Sequence, residues 1–275
     1  AITINGSGSK TIDGGSGTDT VSISYSGITS LSSFTVSMDS SGSLSLLNAG
    51  NETIKLTNII NTAQGLGAGL TVNGRDYKFI DTAASNNSRG RGSMHDGSLG
   101  GTQGVVWDSS NREIFLYLEA SYSHATFHAS RVYNNSYASS SDMNSGALTI
   151  YGSSGNDYIS TTQHGDTITT GAGNDQVLGH NGSDTINLGE GNDVAFVNIA
   201  SLTEDASING GTGSDTLNFG RVYNFDAFSS EPSYDSSVNI NAAKFHSKYK
   251  KRFEFYNIKF SDIDQIKRDN IKAII

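Results

Sequence analysis

The sequence holds no cysteine and a single proline, Pro232, in 275 residues. Without cysteine no disulfide can staple the fold, so a small repetitive core would need a metal for that purpose. Charged side chains make up only 16% of the chain, while glycine is plentiful at 32 residues. With serine, threonine and asparagine also abundant, that composition suits turns and strands rather than helices. No run of about 18 apolar residues occurs, so no membrane span is expected. None of the six histidines is followed by glutamate, which excludes the His-Glu-x-x-His metalloprotease pattern. Gly97-Ser98-Leu99-Gly100-Gly101 has part of the spacing of a nucleophile elbow, but Asp96 stands where the first glycine is required. The glycines of Gly65-Leu66-Gly67-Ala68-Gly69 precede a strand rather than open a helix, which argues against a dinucleotide loop. Two histidines, His124 and His128, share a strand face four residues apart, about 13 Å and too far for one ion. No enzymatic activity and no nucleic-acid partner are expected.

What is present is a repeat. Asp157, Asp166, Asp175, Asp184 and Asp193 stand nine residues apart. Two residues after each comes Ile159, Ile168, Val177, Ile186 or Ala195, with Ile150 in phase upstream. Most of these aspartates end a glycine-rich turn: GSSGND, TGAGND, GHNGSD and LGEGND. Each unit reads as a six-residue turn followed by a three-residue strand, and two units make one coil of 18 residues. Strands then alternate between two small parallel sheets, in which neighbours lie roughly 4.8 Å apart. Asp157, Asp175 and Asp193 fall on one edge, Asp166 and Asp184 on the other. Stacked carboxylates at that separation repel by about 1 kcal/mol in water and several-fold more near a protein surface. A hard dication taking oxygen ligands reverses the sign, with turn carbonyls filling its remaining positions.

This run, of the form G-G-x-G-x-D-x-U-x, resembles the RTX repeats of secreted bacterial proteins. The expected cofactor is Ca2+, one ion between each stacked pair and so about three in this run. Type I secretion to the extracellular space or bacterial cell surface is what the resemblance implies. Two units depart from the pattern. His164 replaces the third glycine before Asp166, and Ala195 is a small occupant of the aliphatic slot, as if the roll tapered there.

A smaller copy opens the chain, where GGSGTDTVS puts Asp19 in the ligand slot and Val21 in the aliphatic one. The unit before it has Lys10 in that slot. Lysine cannot bind calcium; either its ammonium stands in for the ion, or the turn is a cap that needs none, which is the expectation. Another copy, GGTGSDTLNF, supplies Asp215, 22 residues after Asp193, so an insert near Ser201–Asp205 breaks the phase. After Asp19 and after Asp215 comes a strand containing Asn-Ile: Leu56-Thr57-Asn58-Ile59 and Phe255-Tyr256-Asn257-Ile258. The spacing suggests an internal duplication. The metal ligands expected are Asp157, Asp166, Asp175, Asp184, Asp193, Asp19 and Asp215.

The expected fold is all-β, a parallel β-roll of nonapeptide repeats joined to β-sandwich-like, strand-rich segments. Four parts are expected: N-terminal repeats at 1–23, a sandwich-like domain at 24–146 with a polar loop at 82–104, the roll at 147–218, and a basic β-rich segment at 219–275 that partly duplicates 14–63. A hairpin is expected across Asn73-Gly74. The formal charge is −9. Residues 1–243 carry 9 basic and 23 acidic groups (9 − 23 = −14), and residues 244–275 carry 9 and 4 (9 − 4 = +5). The cluster Lys248, Lys250, Lys251 and Arg252 suits lipopolysaccharide or an acidic neighbour, or else a solvated strand edge. Arg89 and Arg91 suit a carboxylate or phosphate, and Tyr117, Tyr122 and Tyr133 a glycan, against solvated-loop and core alternatives. The chain opens AITING, with neither methionine nor a signal peptide, so either it is a piece of a longer protein or it is exported by another route.

Repeats of this kind describe a way of folding rather than a task. The leading expectation is a calcium-dependent, secreted cell-surface structural or adhesive protein, an S-layer subunit or a segment of an RTX adhesin, self-associating at the surface. A glycan- or peptide-binding domain using residues 82–133 is the second. The calcium module of a secreted hydrolase or epimerase is the third.

Overall fold

The structure, a computed structural model, describes residues 1–17, 19–39, 41, 43–59, 70–81, 104–119, 124–129, 140–197, 206–219, 240–241, 259–261 and 265–268. It is built almost wholly of strands. In the N-terminal half these are β1 (Ile2–Ile4), β2 (Lys10–Asp13), β3 (Val21–Ile23), β4 (Phe34–Met38), β5 (Leu44–Asn48), β6 (Thr53–Thr57), β7 (Leu70–Val72), β8 (Arg75–Asp81) and β9 (Gly104–Asp108). Then come β10 (Glu113–Glu119), β11 (His124–His128) and one short helix, α1 (Ser140–Met143). The repeats give β12 (Thr149–Tyr151), β13 (Asn156–Ser160), β14 (Thr167–Thr169), β15 (Gln176–Gly179), β16 (Thr185–Asn187) and β17 (Val194–Val197). Last are β18 (Ser207–Asn209), β19 (Thr216–Phe219), β20 (Ile240–Asn241), β21 (Lys259–Ser261) and β22 (Gln265–Arg268).

The repeats coil into the expected parallel roll. One sheet runs β10–β12–β14–β16–β18–β21 and the other β11–β13–β15–β17–β19–β22, with β20 antiparallel at its end. Register follows the repeat: Ile150 pairs with Ile168 and Ile168 with Ile186 in one sheet, Ile159 with Val177 and Val177 with Ala195 in the other. Alternation along each short strand turns its central apolar residue inward. Ile150, Ile159, Ile168, Val177, Ile186, Ala195, Ile208 and Leu217 are all buried in one core. Removing each of the larger ones from water contributes roughly 2 kcal/mol.

The roll runs past both of its expected boundaries. Upstream, β10 and β11 stack on β12 and β13, so the first coil comes from the segment expected to be sandwich-like. Downstream, Ala195 marks no taper. The strands β19 and β22 continue its sheet, and β18 and β21 continue the other. The four-residue excess between Asp193 and Asp215 is absorbed without loss of stacking, since Val194 still pairs with Thr216.

A second core fills the N-terminal half. There β1, β3 and β7 are parallel, β2 and β6 are parallel, and β4, β5 and β6 form an antiparallel meander. The hairpin β7–β8 turns across Asn73 and Gly74, both at positive φ (48° and 81°), the backbone that a two-residue turn demands. The two cores share a wall made by β9 and β10. Val105, Trp107, Ile114 and Leu116 face the roll, while Val106, Phe115 and Tyr117 face the N-terminal core. Phe115 stacks on Tyr151 of the roll at 4.8 Å between centroids and meets Tyr77 edge-on at 5.6 Å.

The register corrects the expected duplication. Ile12 pairs with Leu56, and its counterpart Ile208 pairs with Phe260. The strand equivalent to β6 is therefore Lys259–Ser261, and Phe255–Ile258 lie outside the described residues. So do Arg89, Arg91, Tyr122, Tyr133 and the cluster Lys248–Arg252, whereas Tyr117 is buried in the core.

Candidate calcium-type turns

Each aspartate of the repeat ends a turn, Asp157 as the second residue of β13 and the others ahead of their strands, and the carboxylates reach to the neighbouring coil. The backbone N–H of Asp157 donates to Asp175 Oδ1 at 2.7 Å, that of Asp175 to Asp193 Oδ1 at 2.7 Å, and that of Asp193 to Asp215 Oδ1 at 3.0 Å. On the opposite edge the N–H of Asp166 donates to Asp184 Oδ1 at 2.9 Å. The two files of carboxylates are the two edges read from the nine-residue spacing, with Asp215 extending the first. The second file does not extend in the same way. Thr185 pairs with Ser207, which sets Ala206, not an acid, opposite Asp184.

A file of asparagines runs beside the first row and laces it in the other direction. Asn156 Oδ1 accepts from the N–H of Asn174 at 2.8 Å, Asn174 Oδ1 from Asn192 at 2.8 Å, and Asn192 Oδ1 from Ser214 at 2.9 Å. The nine-residue pattern assigns these asparagines no role of their own. The signal was there, in the Asn that precedes Asp in GSSGND, TGAGND and LGEGND.

Successive turns touch backbone to backbone. Gly173 and Gly191 have φ of 129° and 140°, and a Cβ on Gly191 would overlap the Gly173 carbonyl oxygen. Only glycine lets one turn lie directly on the next, which brings rows of carbonyl oxygens alongside the rows of carboxylates.

The electrostatics of the rows are unfavourable as they stand. Asp157, Asp175, Asp193 and Asp215 are fully buried, and Asp166 and Asp184 nearly so. Burial first, then the charge of Asp175, pushes the Asp157 carboxyl well above its ordinary range. Burial raises Asp175 to about 6 despite stabilising hydrogen bonds. Burial and the neighbouring carboxylates raise Asp184 and Asp193 to about 7. Moreover, Oδ2 of Asp175 and Oδ2 of Asp193 are buried and accept no hydrogen bond. A buried, ionised, unpaired oxygen is costly enough to call for a counter-charge.

That counter-charge fits a hard cation. The donors on offer are carboxylate and peptide oxygens, with no thiolate, which suits calcium and its 6–8 oxygen ligands at roughly 2.4 Å. Among the described residues no three acidic or imidazole side chains converge on one point. Each turn brings one carboxylate, and the remaining ligands would be backbone carbonyls.

The leading turn on each edge is different. Ser153 and Thr162 occupy the second turn position, where later turns on the first edge have Gly171, Gly189 and Gly211. The N–H and hydroxyl of Ser153 donate to Asp157 at 2.6 and 2.8 Å. Thr162 donates likewise to Asp166, from its N–H at 2.8 Å and its hydroxyl at 2.9 Å, and the N–H of Leu148 adds a bond to Asp166 at 2.7 Å. Both oxygens of each leading aspartate therefore already have donors. His164, the irregular residue of that turn, bonds through its ring to the Asn144 carbonyl at 3.1 Å.

In the N-terminal copy Asp19 also has a buried Oδ2 without a hydrogen bond. It lies beside Gly14, where a Cβ would come within 3.0 Å of it and within 2.8 Å of the Asn58 carbonyl oxygen. Asn58 itself is at φ 55° and donates through Nδ2 to Asp13 at 2.8 Å. The Asn of the Asn-Ile strand thus closes onto the N-terminal turn.

The family model for the RTX calcium-binding nonapeptide repeat matches this chain in four copies, at residues 6–22, 149–163, 160–195 and 206–225. The four matches cover the turns described above. No curated protein matches the chain. The chain carries RTX repeats, which are calcium-binding and typical of secreted proteins.

Proposed function

We propose that this RTX-repeat chain is a secreted, calcium-dependent structural or adhesive element of a bacterial cell surface, such as an S-layer subunit or a segment of an adhesin. The observation that carries the reading is the pair of rows of buried aspartates, with uncompensated oxygens at Asp175 and Asp193. The residues that would hold calcium are Asp175, Asp184, Asp193, Asp215 and Asp19, whereas Asp157 and Asp166 at the leading turns already have protein donors on both oxygens. When bound, the ion supplies positive charge between coils and thereby folding free energy. The chain stays open where calcium is scarce and winds outside the cell.

In this reading the protein performs no chemistry of its own. Ser160 and His180 do approach to 2.9 Å, but Ser160 is only 4% exposed, so its hydroxyl offers no substrate access. Thr167, Thr185 and Ser207 beside Thr169, Asn187 and Asn209 make two short uncharged polar rows on the outer face of one sheet, as a packing or adhesive module would use. Among the described residues no helix is long and apolar enough to cross a membrane.

The test is circular dichroism and melting of the chain in millimolar calcium and in chelator, followed by electron microscopy of the calcium-loaded protein. Strand signal gained with calcium, together with an ordered lattice or filament, supports the reading. Identical spectra and melting in both conditions overturn it. A calcium-folded monomer that forms no assembly retains the calcium part and discards the structural role.

A further inference from the structure

Two positively charged side chains lie against turn carbonyls at places where the repeat has no aspartate of its own. The first is Lys10, which replaces the acid in the N-terminal unit. Its ammonium donates to the carbonyls of Ser7 and Gly8, the latter at 3.1 Å. Hydrogen bonds from the Asn48 side chain and the Gly8 N–H hold the Glu52 carboxyl below its usual range, and the nearby Lys10 charge adds to this. The second is Arg112, held at φ 57° at the end of the β9–β10 turn and set in the place that Asp166 and Asp184 take in later coils, since the N–H of Thr149 donates to its carbonyl as those of Thr185 and Ser207 donate to theirs. Its guanidinium donates to the carbonyls of Ala147, Asp142, Met143 and Gly146 at 2.8, 3.1, 2.8 and 2.9 Å, and to Ser145 Oγ at 3.0 Å.

The place of that loop in the roll gives the contacts their meaning. Residues 143–148 precede β12 as 161–166 precede β14, and Leu148 stands where the next turn on that edge has Asp166. The Arg112 guanidinium therefore occupies the middle of the turn one coil upstream of the Thr162–Asp166 turn on the second edge, ringed by the kind of oxygens that calcium would take. A guanidinium has five N–H donors, and the five oxygens account for them.

We propose that Lys10 and Arg112 are built-in cations that close the leading turns of the two repeat arrays without calcium. This rests on the reading that the aspartate-lined turns take calcium. Arg112 acts with Ser153 and Thr162, whose hydrogen bonds already satisfy Asp157 and Asp166. The upstream end of the roll is then set by protein groups, and calcium is needed where the orphaned oxygens begin, at Asp175 and beyond. A cation that cannot diffuse away gives winding a fixed starting end and a direction.

The experiment uses the full chain in saturating calcium, with melting and a count of bound calcium by equilibrium dialysis. Lys10→Met and Arg112→Met each lower the melting midpoint by about 5 °C, and added calcium does not restore it. Lys10→Asp exchanges the fixed cation for a carboxylate facing the same carbonyls and Glu52. It raises the calcium count by one and recovers the native midpoint in saturating calcium. The proposal is overturned if both methionine variants melt like the native chain, or if Lys10→Asp neither gains an ion nor recovers. A native chain that binds no calcium would instead sink the calcium reading, while the methionine variants would still report on the two cations.

Discussion

The two cores of this protein are held by different means. The N-terminal core is conventional: an antiparallel meander and a hairpin bury Phe34, Val36, Leu44, Leu46, Ile54, Leu56 and Tyr77. The Tyr77 hydroxyl even finds a partner inside, accepting from the N–H of Leu31 at 3.0 Å. Arg75 adds a paired contact to both oxygens of Glu113 at 3.0 and 2.9 Å. The roll has a thin core of about one aliphatic side chain per strand, and it stacks buried acids directly on one another. Hydrophobic burial suffices for the first. In the second, the acid rows oppose the burial until a cation intervenes. Calcium dependence should therefore be concentrated in the roll, with the Asp19 turn the one expected ligand beside the N-terminal core.

The largest effect that breaks this contrast is steric. Gly191→Val places a side chain on the Gly173 carbonyl and, at a φ that side chains avoid, should cost on the order of 4 kcal/mol or more. Circular dichroism should show the roll lost at every calcium concentration. Leu46→Ala in the other core should cost about 3 kcal/mol by cavity formation. Its effect in denaturant melts should not change with calcium, whereas that of Ile186→Ala should be relieved by it.

Electrostatic substitutions sharpen the contrast with smaller effects. Asp175→Asn keeps the acceptor for Asp157 but removes the buried charge. In chelator it should stabilise the chain by about 2 kcal/mol, and in a calcium titration the midpoint should move to higher concentration. Acidity should act with opposite sign in the two conditions. Without calcium, Asp184 and Asp193 titrate near about 7 in the folded chain, against roughly 4 when unfolded. A carboxyl raised in this way contributes stability fully below the unfolded value, and that stability is lost as pH rises through the folded one. Melting in chelator should therefore improve from about pH 8 to about pH 5. In calcium the same acidification should weaken the fold, because protons compete for the ligand oxygens.

Much of the roll was legible because its signal is local and periodic. The aliphatic residues from Ile150 to Ala195 and the acids from Asp157 to Asp193 fixed strand phase, register and the two edges. What was missed lacks that period. Ile114 and Phe127 belong to the first coil, yet Arg112 and Ala125 fill the places of the repeat's aspartates, so no acid announces it. The strand Lys259–Ser261 carries no turn motif, and its match to β6 appears only in the pairing. Arg112 could not be found at all, because its partners are backbone carbonyls that any sequence supplies. Nothing in the repeat pattern marks the hydroxyls of Ser153 and Thr162, and their role emerges only from the aspartates they satisfy.

The most direct measurement is amide hydrogen exchange on the intact chain in calcium and in chelator. The N–H groups of Asp166, Asp175 and Asp193 donate to carboxylates of the next coil or of its own row, so they report on the acid rows themselves. With calcium they should be strongly protected. In chelator they should exchange freely while the amides of the Phe34–Thr57 meander stay protected. Equal protection of the aspartate amides with and without calcium, or loss of both halves together, would contradict the division described here.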